Sequence, residues 1–80
     1  TAYALVLMKL HLAYDSNYYG FLSNERLDLS ERWQVQDWCR KHFGTEYGPN
    51  STWNVEESHK GTYVTIWDGN NAFEFRLRWC

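Results

Sequence analysis

The sequence predicts a small α+β fold in which an antiparallel sheet packs on one main helix. Three observations predict this class. Residues 28–44 carry the start and stop signals of a helix. Segments with alternating apolar residues lie on both sides of it. Clusters of Gly, Asn, Asp and Pro separate these segments, as expected for turns. We therefore expect the order β-α-β-β, followed by a closing segment of helix or strand.

Residues 2–14 are expected to form the first strand. Alternate positions give one continuous apolar face, made of Ala4, Val6, Met8, Leu10, Leu12 and Tyr14. The opposite face begins apolar and turns polar at Lys9 and His11. This pattern predicts a strand that is more deeply buried at its start than at its end.

Residues 15–27 have no clear period and are predicted to be a long loop. Long loops in small domains tend to be functional or poorly ordered. This one carries the aromatic residues Tyr18, Tyr19 and Phe21. Aromatic side chains on a loop can anchor a partner protein. They can also fold back and cap the core, and the sequence leaves both interpretations open.

The main helix is predicted from its two ends. Asp28 and Glu31 have the spacing of a capping box, which satisfies unpaired backbone N–H groups. The basic residues at 40–42 suit the negative end of the helix dipole, and Gly44 suits a left-handed cap. Its apolar side is formed by Val35, Trp38, Cys39 and Phe43. Trp33 fits neither the apolar nor the polar side.

The second half of the chain predicts a hairpin. Residues 52–57 and 62–67 alternate in the manner of strands, with β-branched and aromatic residues in the second. Residues 58–61 form the predicted hairpin loop, and residues 68–71 form the next turn.

The segment 72–80 fits two structures. Phe73, Phe75, Leu77 and Trp79 alternate with polar residues, which is typical of a strand. However, Asn71 and Glu74 resemble a capping box, and Ala72 shares a helical face with Phe75 and Trp79. Periodicity alone favours the strand.

The layout of residues 32–80 resembles that of a group of small proteins from tailed bacteriophages. A helix carries a Trp-Cys pair, here Trp38-Cys39, and Trp53 lies in the following hairpin. The segment ends in an Ala-x-x-Phe-x-Leu-Arg-Trp motif, here Ala72, Phe75, Leu77, Arg78 and Trp79. The resemblance implies a closing helix and a ferredoxin-like β-α-β-β-α arrangement. It implies no particular activity.

Composition limits the class of protein. Eighty residues make one domain, residues 1–80, and a 44 % hydrophobic content excludes the disordered class. The net charge of −2 argues against a general binder of polyanions. Cys39 and Cys80 are expected to be reduced thiols. Because we find no signal peptide and no apolar run of membrane length, we expect a cytoplasmic protein without membrane association, in the host cell if it is viral.

No residue pattern predicts catalysis. Cys39 and His42 have helical spacing and could share a metal, but zinc sites need about four ligands. As a nucleophile and base, the pair would need a third orienting group. The glycines are spread one per turn, so no phosphate-binding loop is formed. We expect no enzyme activity, no metal and no cofactor.

We therefore expect a small accessory protein that binds a host or phage protein, with inhibition of that protein as one consequence of binding. The predicted contact residues are Tyr18, Tyr19, Phe21 and Trp33. Association into a homodimer through a free sheet edge is a variant of this hypothesis.

The alternative hypothesis is a single-stranded nucleic-acid-binding protein, which is less expected because the chain is acidic. It would stack bases on hairpin aromatics and contact phosphates with nearby cations. The residues concerned are Trp53, Tyr63, Trp67, Lys60, Arg76 and Arg78.

Overall fold

A computed structural model describes residues 9–23 and 25–80. Its elements, in chain order, are β1 (Leu10–Asp15), β2 (Tyr19–Ser23), α1 (Leu29–Phe43), β3 (Trp53–Ser58), β4 (Gly61–Ile66) and α2 (Gly69–Trp79). The four strands form one antiparallel sheet in the order β1-β2-β4-β3. The predicted α+β class, with an antiparallel sheet packed on a main helix, is confirmed. The predicted order β-α-β-β-α lacked one strand, because the observed order is β-β-α-β-β-α.

The missing strand lies inside the segment that was predicted to be a loop. β2 occupies Tyr19–Ser23 and lies between β1 and β4 in the sheet. The sequence of β2 does not alternate clearly between apolar and polar residues, because the strand is central in the sheet. Gly20 occupies an outward position without contributing an apolar side chain, and Leu22 is half-buried on the same side. The loop prediction for residues 15–27 was therefore wrong over β2.

The first strand also differs from the prediction. β1 covers Leu10–Asp15, and residues 2–8 of the predicted strand lie outside the described residues. The pairing of β1 with β2 contains a bulge between Leu12 and Tyr14. A bulge adds one residue and reverses the alternation beyond it. As a result, Leu12 faces the helices, whereas Tyr14 faces the opposite side of the sheet.

Helix α1 has the predicted caps. Asp28 accepts a hydrogen bond from the backbone N–H of Glu31 at 2.8 Å, and the Glu31 carboxylate accepts one from the Asp28 N–H at 3.1 Å. Gly44 has a φ of 91° and donates its N–H to the Arg40 carbonyl. Val35 and Cys39 are fully buried.

The segment 72–80 is a helix, as the resemblance implied, and not the fourth strand of the alternative. Helix α2 begins after Asp68, whose side chain accepts the N–H of Asn71 at 3.0 Å. Phe75 and Trp79, four residues apart, are both fully buried. A strand would have buried Phe73 as well, but this side chain is exposed.

Both helices cover the same face of the sheet, which we call the inner face. Aromatic contacts bring the two layers together: Phe75 of α2 lies 4.8 Å from Phe21 of β2 and 6.1 Å from Trp38 of α1, measured between ring centroids. Trp38 also meets Trp79 edge-on at 5.9 Å. Edge-on aromatic pairs add to the stabilisation that comes from burial. The opposite, outer face of the sheet has no helix over it in the described part of the chain.

Candidate functional site

The candidate site is the outer face of the sheet. Successive strand residues point to opposite sides, so strand pairing identifies the side chains that point away from the helices. These outward positions are His11, Tyr14, Gly20, Leu22, Asn54, Glu56, Ser58, Gly61, Tyr63 and Thr65. Tyr18 and Trp67 continue the alternation just beyond β2 and β4.

Four aromatic side chains form a continuous group on this face, which we call the aromatic row: Tyr14, Tyr18, Tyr63 and Trp67. The rings of Tyr14 and Tyr18 stack with centroids 4.5 Å apart. Tyr18 lies 6.4 Å from Trp67 in a tilted arrangement. Tyr14 and Trp67 are both exposed, so the row presents an aromatic surface to the surroundings.

Tyr63 joins the row because Gly20 leaves space for it. A Cβ atom added to Gly20 would lie 1.8 Å from the Tyr63 hydroxyl oxygen. The Tyr63 ring therefore lies across β2, where it reaches Tyr18. Burial among its neighbours and a hydrogen bond with Tyr18 raise the pKa of Tyr63 to about 12.

The charges on the outer face are few. Among the described residues, no outward position of a strand carries lysine or arginine. Glu56 contributes a carboxylate, and its neighbour Asn54 donates a hydrogen bond to it at 2.9 Å. A surface that binds phosphates uses lysine and arginine, so this face lacks the electrostatic term that dominates nucleic-acid affinity.

The structure does not bring the four predicted contact residues together. Tyr18 lies in the aromatic row. Tyr19 and Phe21 point to the inner face, where Tyr19 is half-buried against the core and Phe21 is 1 % exposed. Phe21 is thus a core residue and has no surface for a partner to contact. Trp33 is exposed on α1, in the other layer of the fold.

The residues of the nucleic-acid alternative are also dispersed. Trp53 is fully buried and donates its indole N–H to the Gly44 carbonyl at 3.0 Å, so it cannot stack on a base. Tyr63 and Trp67 lie in the aromatic row. Arg76 and Arg78 belong to α2 on the inner side of the sheet, and the Arg78 guanidinium lies 4.6 Å from the centre of the Trp79 ring.

Cys39 and His42 do not form a catalytic pair. The His42 ring stacks on Trp38 with centroids 4.0 Å apart, and its Nδ1 lies 2.9 Å from the Trp38 carbonyl oxygen. Cys39 is fully buried, and this burial raises the pKa of its thiol far above the usual range. A thiol held neutral is a poor nucleophile and a poor metal ligand. The described residues contain no group of three or more His, Cys, Asp or Glu that could hold a metal ion.

Sequence reasoning missed Tyr14 and did not connect Tyr18 with Trp67. The alternation of residues 62–67 did place Tyr63 and Trp67 on one side of a strand. No local signal could reveal that β2 pairs beside β4 or that a bulge turns Tyr14 to the outer face. Both depend on contacts between residues far apart in the sequence.

Comparison with protein-family models, with curated proteins and with solved structures gave no match to this chain. Neither helix in the described part of the chain has the length and apolar character that crossing a membrane requires.

Proposed function

We propose that this protein acts by binding another protein through the aromatic row on the outer face, and that it is not an enzyme. The observation that carries the proposal is the stacked pair Tyr14–Tyr18 with Trp67 tilted beside it, on a sheet face that no helix of the described residues covers; Tyr14 and Trp67 are exposed. Tyrosine and tryptophan provide large contact areas at a low cost in conformational entropy, and both are enriched in protein interfaces.

The nature of the partner follows from the charges. The outward strand positions of the described residues carry no lysine or arginine. A protein surface can cover an aromatic row of this kind, because interface cores are depleted of charged residues. In line with the phage resemblance, the partner we propose is a host or phage protein in the host cytoplasm, and inhibition of that protein is one consequence that such binding can have. No cofactor takes part in this role.

The second candidate is binding of single-stranded nucleic acid. The stacked rings of the aromatic row favour it, because bases stack on exposed aromatic side chains. The absence of lysine and arginine from the outward strand positions of the described residues argues against it. Nucleic-acid binding would weaken steeply as salt is raised, whereas binding to an apolar protein surface would change little.

The test is capture of partners by tagged protein from nuclease-treated bacterial lysate, followed by mass spectrometry. We expect a stoichiometric protein that the Trp67→Ala variant fails to retain and that the Trp33→Ala variant retains. Nucleic acid recovered only without nuclease would favour the second candidate. Equal capture by both variants would contradict the assignment of the site to the outer face. Sedimentation of the purified protein identifies the homodimer variant of the proposal.

A further inference from the structure

The two edge strands of the sheet, β1 and β3, differ in the hydrogen-bond partners of their outer backbone groups. At the β3 edge, the Val55 N–H donates to the Glu46 carboxylate at 2.9 Å, and the Ser51 hydroxyl donates to the Trp53 carbonyl oxygen at 2.8 Å. Glu46 is buried and also accepts a hydrogen bond from Gln36 at 3.2 Å. The loop between α1 and β3 therefore occupies hydrogen-bonding groups that another strand would need.

Among the residues that the structure describes, none covers the β1 edge in this way. Within residues 9–23 and 25–80, no side chain and no backbone group outside the sheet hydrogen-bonds to β1. Free N–H and C=O groups on an edge strand are a template for another extended segment. The bulge after Leu12 twists the end of the edge, which leaves Leu10–Leu12 as its regular part.

A groove runs between this regular part of β1 and helix α2. We call it the edge groove, and its lining includes Leu10, Leu12, Phe73, Arg76, Leu77 and Cys80. Its volume is about 540 Å³. Phe73 and Leu77, four residues apart on one face of α2, are 64 % and 72 % exposed, so both side chains can contact an occupant of the groove.

The groove has a defined charge pattern. Arg76 lines it and also lines the adjoining depression, where Asp15 is the acidic residue. Arg76 forms no ion pair with another described residue. An occupant that runs antiparallel to β1 would begin near Asp15 and continue past Arg76 towards Leu10. An acidic side chain of the occupant at that point would be complementary in charge to Arg76.

The geometry points to the edge groove as a binding site for an extended segment of a partner protein. The segment adds to β1 as an antiparallel strand, places alternate apolar side chains against Leu12, Phe73 and Leu77, and pairs an aspartate or glutamate with Arg76. In strand addition, backbone hydrogen bonds supply affinity and pockets for alternate side chains supply specificity. This site goes beyond the proposed function, because it lies on the helix side of β1, away from the aromatic row.

A charge exchange tests the inference. Random octapeptides displayed on a surface are selected against the wild-type protein and against the Arg76→Glu variant, with Leu29→Ser as a control for an exposed apolar residue elsewhere. We expect the wild-type protein to enrich apolar peptides that contain an acidic residue, and the variant to enrich peptides with a basic residue instead. The best acidic peptide should lose about tenfold in affinity for the variant, as expected for the loss of one charge-assisted hydrogen bond.

Cys80 provides an independent readout of the location. It is exposed and lines the edge groove, whereas Cys39 is buried. Saturation with the selected peptide should slow alkylation of Cys80 by iodoacetamide and slow amide exchange in Leu10–Leu12. The inference is wrong if the same peptides are enriched by both proteins, or if bound peptide leaves Cys80 alkylation unchanged. A concentration-dependent dimer that the Leu77→Ser variant dissociates would assign the groove to a second copy and would also overturn it. None of these outcomes depends on Trp67, the residue that tests the proposed function, so a failure of this inference can be told apart from a failure of that proposal.

Discussion

Tyr63 lies across the backbone of Gly20, and a methyl group on Gly20 would place Cβ 1.8 Å from the Tyr63 hydroxyl oxygen. This contact couples a central strand to the candidate site. Glycine is required at position 20 because any side chain there would collide with Tyr63, and not because the backbone is left-handed. The aromatic row therefore depends on a residue that has no aromatic group of its own.

Gly20→Ala is expected to push Tyr63 out of the aromatic row. Because the obstructing atom is the far end of a side chain, the ring can rotate away, and the loss in unfolding free energy should be about 1 kcal/mol. Gly61→Ala provides the contrast. Its Cβ would lie 2.1 Å from the Ser23 carbonyl oxygen at a φ of 141°, so backbone must move. We expect a loss of roughly 3 kcal/mol there. Urea unfolding measures both, and equal losses would contradict this explanation.

The pKa of Tyr63 predicts a loss of stability at alkaline pH. The folded protein holds this pKa at about 12, above the ordinary tyrosine value of 10.0. Because the folded state keeps the proton that the unfolded state releases, the stabilisation is complete below the unfolded pKa and disappears as pH rises from 10.0 to about 12. Absorbance titration should find one late-ionising tyrosine, which Tyr63→Phe removes. An unchanged titration curve in that variant would show that another tyrosine is responsible.

The helical structure of α2 predicts different stability losses for substitutions of its two phenylalanines. Phe75 is fully buried between Phe21 and Trp38, whereas Phe73 is exposed. Phe75→Ala should lower the unfolding free energy by roughly 3–5 kcal/mol, as for other buried phenylalanines. Phe73→Ala should change it by less than about 0.5 kcal/mol. Similar losses for both variants would support the strand pattern of residues 72–80 over the helix.

Glu46 should be required for stability because it accepts a hydrogen bond from the backbone of the edge strand β3. Its carboxylate accepts hydrogen bonds from Val55 and Gln36. Glu46→Ala leaves the buried Val55 N–H without this partner, so we expect a loss of about 1–3 kcal/mol. Glu74→Ala, at an exposed position on α2, is the control and should be close to neutral. Denaturant unfolding measures the difference, and a neutral Glu46→Ala would mean that water replaces the carboxylate.

The parts of the fold with local signals could be predicted from the sequence. The ends of α1 are determined by contacts between residues close in sequence, made by Asp28, Glu31 and Gly44. The structure contains each of these contacts. The hairpin of β3 and β4 was predicted within one residue of its observed bounds. Its alternation is clear because one side of each strand packs on the helices.

The parts that depend on distant contacts could not be predicted. β2 is recognisable only through its pairing with β1 and β4. Phe21 was expected at a contact surface but is buried, because β2 directs it onto Phe75. The aromatic row needs the strand order, the bulge before Tyr14 and the space at Gly20 together. Only Tyr18 of the predicted contact residues belongs to it.

The most direct measurement of the central claim is the affinity of the captured partner for a matched pair of tryptophan variants. Trp67 and Trp33 are 51 % and 56 % exposed, so each substitution removes a similar exposed ring from a different surface. If the aromatic row binds the partner, Trp67→Ala should weaken affinity by about 2 kcal/mol or more, while Trp33→Ala stays near the wild-type value. An affinity that falls for Trp33→Ala and not for Trp67→Ala would place the interface on α1 and contradict the proposed function of the outer face.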